Sequence, residues 1–139
     1  MQSDTWQKRA LERYYYGRSD WKDGTTQFWQ IIRQFVPPDA KILEIGAGPT
    51  NKTTHFLSTL GRVTGLDVAT AVKTNEDCRE VVIYDGTHIP FDNNVFDLAV
   101  SNYVCEHVER PLELAREIHR VLRPGGHYVF RTPNLWHYV

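Results

Sequence analysis

Lys41-Ile-Leu-Glu-Ile-Gly-Ala-Gly-Pro-Thr50 begins as a short apolar run and breaks into glycines. Four to five apolar residues bounded by a turn read as a buried strand. Glycines there let the chain turn sharply and let backbone approach a ligand, and a following helix would present free N–H groups. Asn51 to Leu60 supplies that helix, with Phe56, Leu57 and Leu60 on one side and Gly61 at its end. Thr50 is placed to cap it.

Outward from this unit the pattern repeats. Arg62 to Leu66 is a second strand ending at Asp67, Val81 to Tyr84 a third ending at Asp85, and Phe96 to Val100 a fourth. Leu112 to Leu122 is an amphipathic helix closed by Arg123-Pro-Gly-Gly126, and His127 to Phe130 is a fifth strand. Ala69 to Glu80 has room for a short helix, and His88 to Val95 reads as loop. On the N-terminal side, Phe28, Trp29, Ile31, Ile32 and Phe35 form a helical stripe capped by Thr25 or Thr26 and stopped by Pro37-Pro38. Alternating short apolar strands and helices predict an α/β fold: a Rossmann-like parallel sheet of about five strands with helices on both faces.

A chain of 139 residues makes one domain, taken as residues 1–139. A net charge of −1 gives no field to steer it to nucleic acid. Cys78 and Cys105 stand in unrelated contexts without metal-ligand spacing, which fits a reduced, cytoplasmic setting and no metal site. No apolar run approaches the roughly 18 residues of a membrane span.

Asp67 follows Gly46 by about 20 residues, where an acid at a strand end can accept both hydroxyls of an adenosine ribose. A solvated turn aspartate is the bland alternative. The dinucleotide fingerprint wants Gly or Ala at its sixth position, and Asn51 stands there. Glu44, two residues before Gly46, would repel a pyrophosphate but suits a ligand with a cationic amino group. Both points disfavour a nicotinamide-dependent oxidoreductase.

The run Ile42 to Gly48 resembles motif I of class I S-adenosylmethionine-dependent methyltransferases, and Gly65-Leu-Asp67 resembles the acidic end of their second strand. Asp85 to Phe91, Phe96 to Val108, and Leu112 to Gly126 are similar to the segments around their third, fourth and fifth strands. The nearest variant is the type 11, ubiquinone-biosynthesis-like small-molecule group. Thr50, after Pro49, departs from the third motif I glycine. The resemblance implies S-adenosyl-L-methionine as cofactor, held by Glu44, Gly46, Ala47, Gly48, Asp67, Val68, Asp85 and Gly86, with Ser101 and Asn102 lining the cleft near the methyl group. It implies methyl transfer to a small-molecule or lipid-like acceptor.

A base helps when the acceptor is a hydroxyl or an acidic carbon. His107, with Glu106 beside it, is the candidate, and the alternative is that both begin a helix and face solvent. His88 is a weaker choice, and His55, His119, His127 and His137 fit surface or core. Tyr14, Tyr15, Tyr16 and Trp21 form either a lid over the cofactor or packing against the sheet, within an N-terminal helix and loop over 1–24 that precedes a core over 25–139.

The family fold ends in an antiparallel hairpin beside the fifth strand, for which the sequence to Val139 has no residues. Two expectations follow: a fragment of a longer protein, or a homodimer or partner chain covering that edge. A non-catalytic cofactor-binding subunit is the corresponding alternative function.

Overall fold

A computed structural model describes residues 6–13 and 23–133. The expected aromatic lid at Tyr14, Tyr15, Tyr16 and Trp21, and His137, lie outside the described residues.

Helix α1 (Trp6–Leu11) is followed by α2 (Gly24–Arg33), β1 (Ala40–Ile45), α3 (Lys52–Ser58) and β2 (Gly61–Asp67). A 3-10 turn (Thr70–Thr74) leads to β3 (Glu80–Ile83), then come β4 (Phe96–Asn102), a short 3-10 turn (Cys105–His107), α4 (Pro111–Val121) and β5 (Leu122–Arg131). The five strands form one sheet in the order β3-β2-β1-β4-β5, and every pairing is parallel. The predicted α/β architecture is therefore the observed one. The reversal of strand order at β1 opens a crevice at the carboxyl ends of the strands.

Strand alternation divides the core in two. Ile42, Val63, Leu98 and Val100 face α2 and α3, packing with Phe28, Ile32, Phe56 and Leu57. Leu43, Ile45, Leu66 and Ala99 face α4, packing with Leu114, Ile118 and Val121. Ile89, also in the α4 cluster, belongs to the loop between β3 and β4. That loop is clamped to α4. Arg120 donates to the carbonyls of Ile89 and Phe91 at 2.8 and 2.7 Å, and Glu117 accepts the Ile89 amide at 2.9 Å.

Three local expectations are corrected. Helix α2 is capped by Asp23, whose carboxylate accepts the Thr25 and Thr26 amides, rather than by either threonine. Helix α3 is capped by Asn51, not Thr50. The Thr50 hydroxyl instead donates to the Thr74 carbonyl and accepts from the Glu76 amide, tying the glycine loop to the segment before β3. β5 begins at Leu122, without a separate turn. Leu122 pairs with Phe96, the backbone bulges through Gly125 at φ +80°, and regular pairing resumes at His127 opposite Leu98.

Candidate functional site

The ends of β1 to β4 surround a cleft of about 650 Å³. Gly46 comes from the end of β1, Asp67 and Val68 from β2, Tyr84 to Thr87 from β3, and Tyr103, Val104 and His107 to Arg110 from the loop after β4. This volume suits a small organic ligand.

The glycine turn is welded to β2. The Gly46 amide donates to the Leu66 carbonyl at 2.7 Å, and Gly48 donates to Asp67 Oδ2 at 2.9 Å. Both glycines have left-handed φ, +70° and +59°, where a side chain would be strained. Asn51 binds the other side of the turn. Its amide nitrogen donates to the carbonyls of Ala47 and Pro49 at 2.8 and 3.0 Å, while its oxygen accepts the Thr53 and Thr54 amides. Asn75, which sequence reasoning missed, donates to the Gly48 carbonyl at 3.1 Å. Its segment carries no periodic signal that singles it out.

Asp67 Oδ1 also accepts the Ala69 amide, at 2.8 Å. Each carboxylate oxygen has a second lone pair, so Asp67 is positioned by the backbone and can still accept from ligand hydroxyls on the cleft wall. Asp85 is built similarly. Its Oδ1 accepts the His88 and Thr87 amides, both at 2.8 Å, which hold its carboxyl below the usual range. Tyr84 lies between these acids, and its phenol is pushed up by burial and by the charges of Asp67 and Asp85. The β2–β3 side of the cleft is thus electronegative, which suits a cationic ligand and opposes a pyrophosphate.

Glu44 lies behind the turn, on the α3 face, and does not line the cleft. Burial pushes its carboxyl up to about 7 against a hydrogen bond from Thr54, with the nearby Asp77 charge adding to the rise. Its Oε2 is buried without a hydrogen-bond partner. Asp67 and Asp85 on the cleft wall make the residues present fit the ribose and the cationic charge of S-adenosylmethionine. Ala47 is buried in the turn, and the Gly48 amide is committed to Asp67. Gly86 and Val68 lie on the cleft wall.

Ser101 is a correction. It is fully buried on the α4 face, 2.7 Å from the Tyr128 hydroxyl and 3.8 Å from Cys105 Sγ, so it does not line the cleft. β4 alternation forces this, because Ala99 and Ser101 share one face. Asn102 takes the other face. It donates to Thr53 at 3.4 Å and accepts from Arg131 Nε at 2.8 Å, outside the cleft lining. The next residue, Tyr103, adopts φ +56° and turns its ring under the Arg131 guanidinium, 4.6 Å from its centroid. Tyr103 and Arg110 on the wall were missed in the sequence. The positive φ of Tyr103 has no residue signature.

His107 lines the cleft, but Glu106 does not join it there. Glu106 accepts from the Thr132 hydroxyl at 3.1 Å. His88 is held by Glu117 at 2.8 Å and is absent from the lining. His55 pairs with Asp77 at 3.0 Å on the surface. No group of three potential metal ligands occurs among the described residues.

Comparison with known proteins agrees with this geometry. Residues 43–130 match the methyltransferase domain family of type 11. An uncharacterized methyltransferase of Mycolicibacterium vanbaalenii is 33% identical over 127 residues, covering 86% of this chain and 50% of its own. The ubiquinone/menaquinone biosynthesis C-methyltransferase of Ruegeria sp. is 29% identical over 118 residues, covering 76% and 45%. The crystal structure of an S-adenosylmethionine dependent methyltransferase from Mesorhizobium loti superposes with a TM-score of 0.63 at 27% identity, covering 75% and 52%. The chain spans about half the length of the curated relatives it matches. The five parallel strands, the glycine turn fixed to Asp67 and the match over residues 43–130 place this chain in the S-adenosylmethionine-dependent methyltransferase domain family.

Proposed function

We propose that this chain is the cofactor-binding core of an enzyme that methylates a small-molecule or lipid-like acceptor. The observation that carries the reading is Asp67, fixed by the Gly48 and Ala69 amides while keeping free lone pairs on the cleft wall. Asp67 accepts the ribose hydroxyls. Asp85 presents its second oxygen to the adenine amino group, with Val68 and Gly86 beside the ring. Glu44 favours the ammonium group through the turn backbone.

S-adenosylmethionine supplies an activated methyl group, so catalysis is mainly positioning of the acceptor. His107 takes the proton of an acceptor hydroxyl or acidic carbon onto a ring nitrogen as methylation proceeds. Val68, Tyr103 and Leu112 are large apolar residues exposed by 60%, 48% and 74%. Val68 and Tyr103 line the cleft, and Leu112 is two residues from the lining residue Arg110. Tyr103 and Leu112 support an apolar acceptor, as does the likeness to a quinone-biosynthesis methyltransferase.

Calorimetric titration with S-adenosylhomocysteine tests the cofactor site. One-site binding that Asp67→Ala weakens at least about tenfold, roughly one lost charged hydrogen bond, supports it. No binding by the folded chain overturns it. His107→Ala tests the base: slower methylation of hydroxyl acceptors with unchanged S-adenosylhomocysteine affinity is expected, and an unchanged rate removes that role.

A further inference from the structure

The opposite end of the sheet, where the strands begin, carries a second hollow of about 580 Å³. Its lining includes Lys41, Arg62, Arg79 and Glu80, with Phe91 and Phe96 as an aromatic wall. Strands six or seven residues long separate it from the cofactor cleft by roughly 20 Å.

Sheet pairing brings Lys41 and Arg62 together, and Arg79 joins the hollow at its β3 edge. Lys41 and Arg62 are directly opposed on β1 and β2. The Arg79 amide donates to the Val63 carbonyl at 2.9 Å, which sets Arg79 beside the residue after Arg62. Like charges directly opposed on neighbouring strands are destabilising. The fold supplies carboxylates to other arginines, pairing Arg110 with Glu113, Arg120 with Glu117 and Arg123 with Asp97. Among the described residues, Lys41, Arg62 and Arg79 form no such pair within 4 Å. Arg62 makes one long bond, 3.5 Å, to the Asp39 carbonyl. The nearby Asp97 is committed to the Lys41 backbone amide and to Arg123. Three cations against the single carboxylate of Glu80 leave a surplus of two positive charges on this rim. That matches the charge of a phosphate monoester, about −1.5 to −2 at neutral pH.

The wall narrows the ligand further. Phe96 is buried and Phe91 half-buried, and they meet edge to face with centroids 5.1 Å apart. An apolar surface beside a cationic rim complements a flat ring bearing a phosphate. The volume falls in the range of small-molecule sites. A net charge of −1 for the chain offers no wider field for a nucleic-acid backbone.

We infer that the amino-terminal edge of β1–β3 is a binding site for a phosphorylated aromatic small molecule, separate from the cofactor cleft. The phosphate sits among Lys41, Arg62 and Arg79, and the ring lies against Phe91.

Phenyl phosphate is the probe, because it lacks the adenosine that would draw a ligand to the other cleft. Amide chemical-shift mapping of the labelled chain should show saturable shifts around Lys41, Arg62, Arg79 and Phe91, and none at Gly46, Asp67 or Asp85. Arg62→Ser with Arg79→Ser should weaken binding at least about tenfold without lowering the melting temperature, while Arg62→Lys retains it. Inorganic phosphate and phenol should each bind more weakly. The inference is overturned by shifts confined to the cofactor cleft, by absence of saturation, or by indifference to the double substitution. Inorganic phosphate binding as tightly as phenyl phosphate overturns the aromatic ligand class. Preferential, steeply salt-dependent binding of a single-stranded oligonucleotide at these residues overturns the small-molecule assignment.

Discussion

Arg120 meets Glu117 through two parallel hydrogen bonds, Nε to Oε1 at 2.8 Å and Nη2 to Oε2 at 2.7 Å. The pair sits one turn apart on α4 and reaches the β3–β4 loop, which has no regular structure of its own over residues 84–95. Arg120 also binds Asn93, and His88 binds Glu117. The clamp therefore substitutes for a helix in holding Ile89 against the sheet. Arg120→Met should destabilise the protein by roughly 2–3 kcal/mol, because it leaves Glu117 partly buried with fewer donors. Hydrogen exchange at Ile89 should rise more than exchange in β1. Equal rises at both sites would show that the clamp has no special hold on the loop.

The same pair sets an acid limb of stability. The Arg120 hydrogen bonds, outweighing a small burial cost, hold the Glu117 carboxyl down at about 2, against an ordinary 4.5. A depressed folded value stabilises the native state above the unfolded value, and that contribution is lost as pH falls from 4.5 through 2. Glu117→Gln should flatten this part of the pH–stability curve. Melting temperatures of wild type and variant between pH 5 and pH 2 check it: the gap narrows on acidification if Glu117 is responsible.

Gly46 leaves no room for any other residue. A Cβ there would stand 2.3 Å from Val104 Cγ2, and φ is +70°. Gly46→Ala combines a left-handed penalty with overpacking, roughly 2–3 kcal/mol together. Adding Val104→Ala should recover the steric part and leave the backbone part. A double-mutant cycle by urea denaturation separates them. Strict additivity would show that Val104 does not press on the turn.

Much of the sheet was legible because apolar runs and glycine punctuation recur at strand spacing from Lys41 to Phe130. The cleft was legible as strand ends, which is how Asp67, Asp85 and His107 could be named. What stayed hidden depends on contacts between distant segments. Ser101 and Asn102 are adjacent in sequence, yet alternation sends one into a cluster with Tyr128 and Cys105 and the other to Arg131. Thr50 looked like a cap because threonine often is one, but Asn51 competes for the position and also has donors for the loop carbonyls.

That double use of Asn51 is testable. Aspartate is as good a helix cap as asparagine, yet the Asn51 amide nitrogen faces the Ala47 carbonyl, the Pro49 carbonyl and the Thr54 hydroxyl. Asn51→Asp should keep the cap and place a carboxylate oxygen against the two carbonyls. It should cost at least as much as Asn51→Ala, about 1–2 kcal/mol. Thermal unfolding at neutral pH measures both. A nearly neutral Asn51→Asp would mean that the cap alone matters.

Glu44 makes the opposite kind of pH dependence from Glu117. Burial raises its folded value to about 7, above the ordinary 4.5. A carboxyl with a raised folded value contributes fully below the unfolded value, and stability is lost as pH rises from 4.5 through 7. The rise corresponds to roughly 3–3.5 kcal/mol, at 1.36 kcal/mol per unit of pKa. Glu44→Gln keeps the shape and cannot ionise, so its stability should be flatter across this window and exceed that of wild type at pH 8. Ligand binding should reverse the ranking if the Glu44 charge favours an ammonium near the turn. S-adenosylhomocysteine, which carries the amino group but not the sulfonium, should then raise the melting temperature of wild type more than that of Glu44→Gln at pH 8. Equal shifts would leave Glu44 as a buried acid with no influence on the cleft.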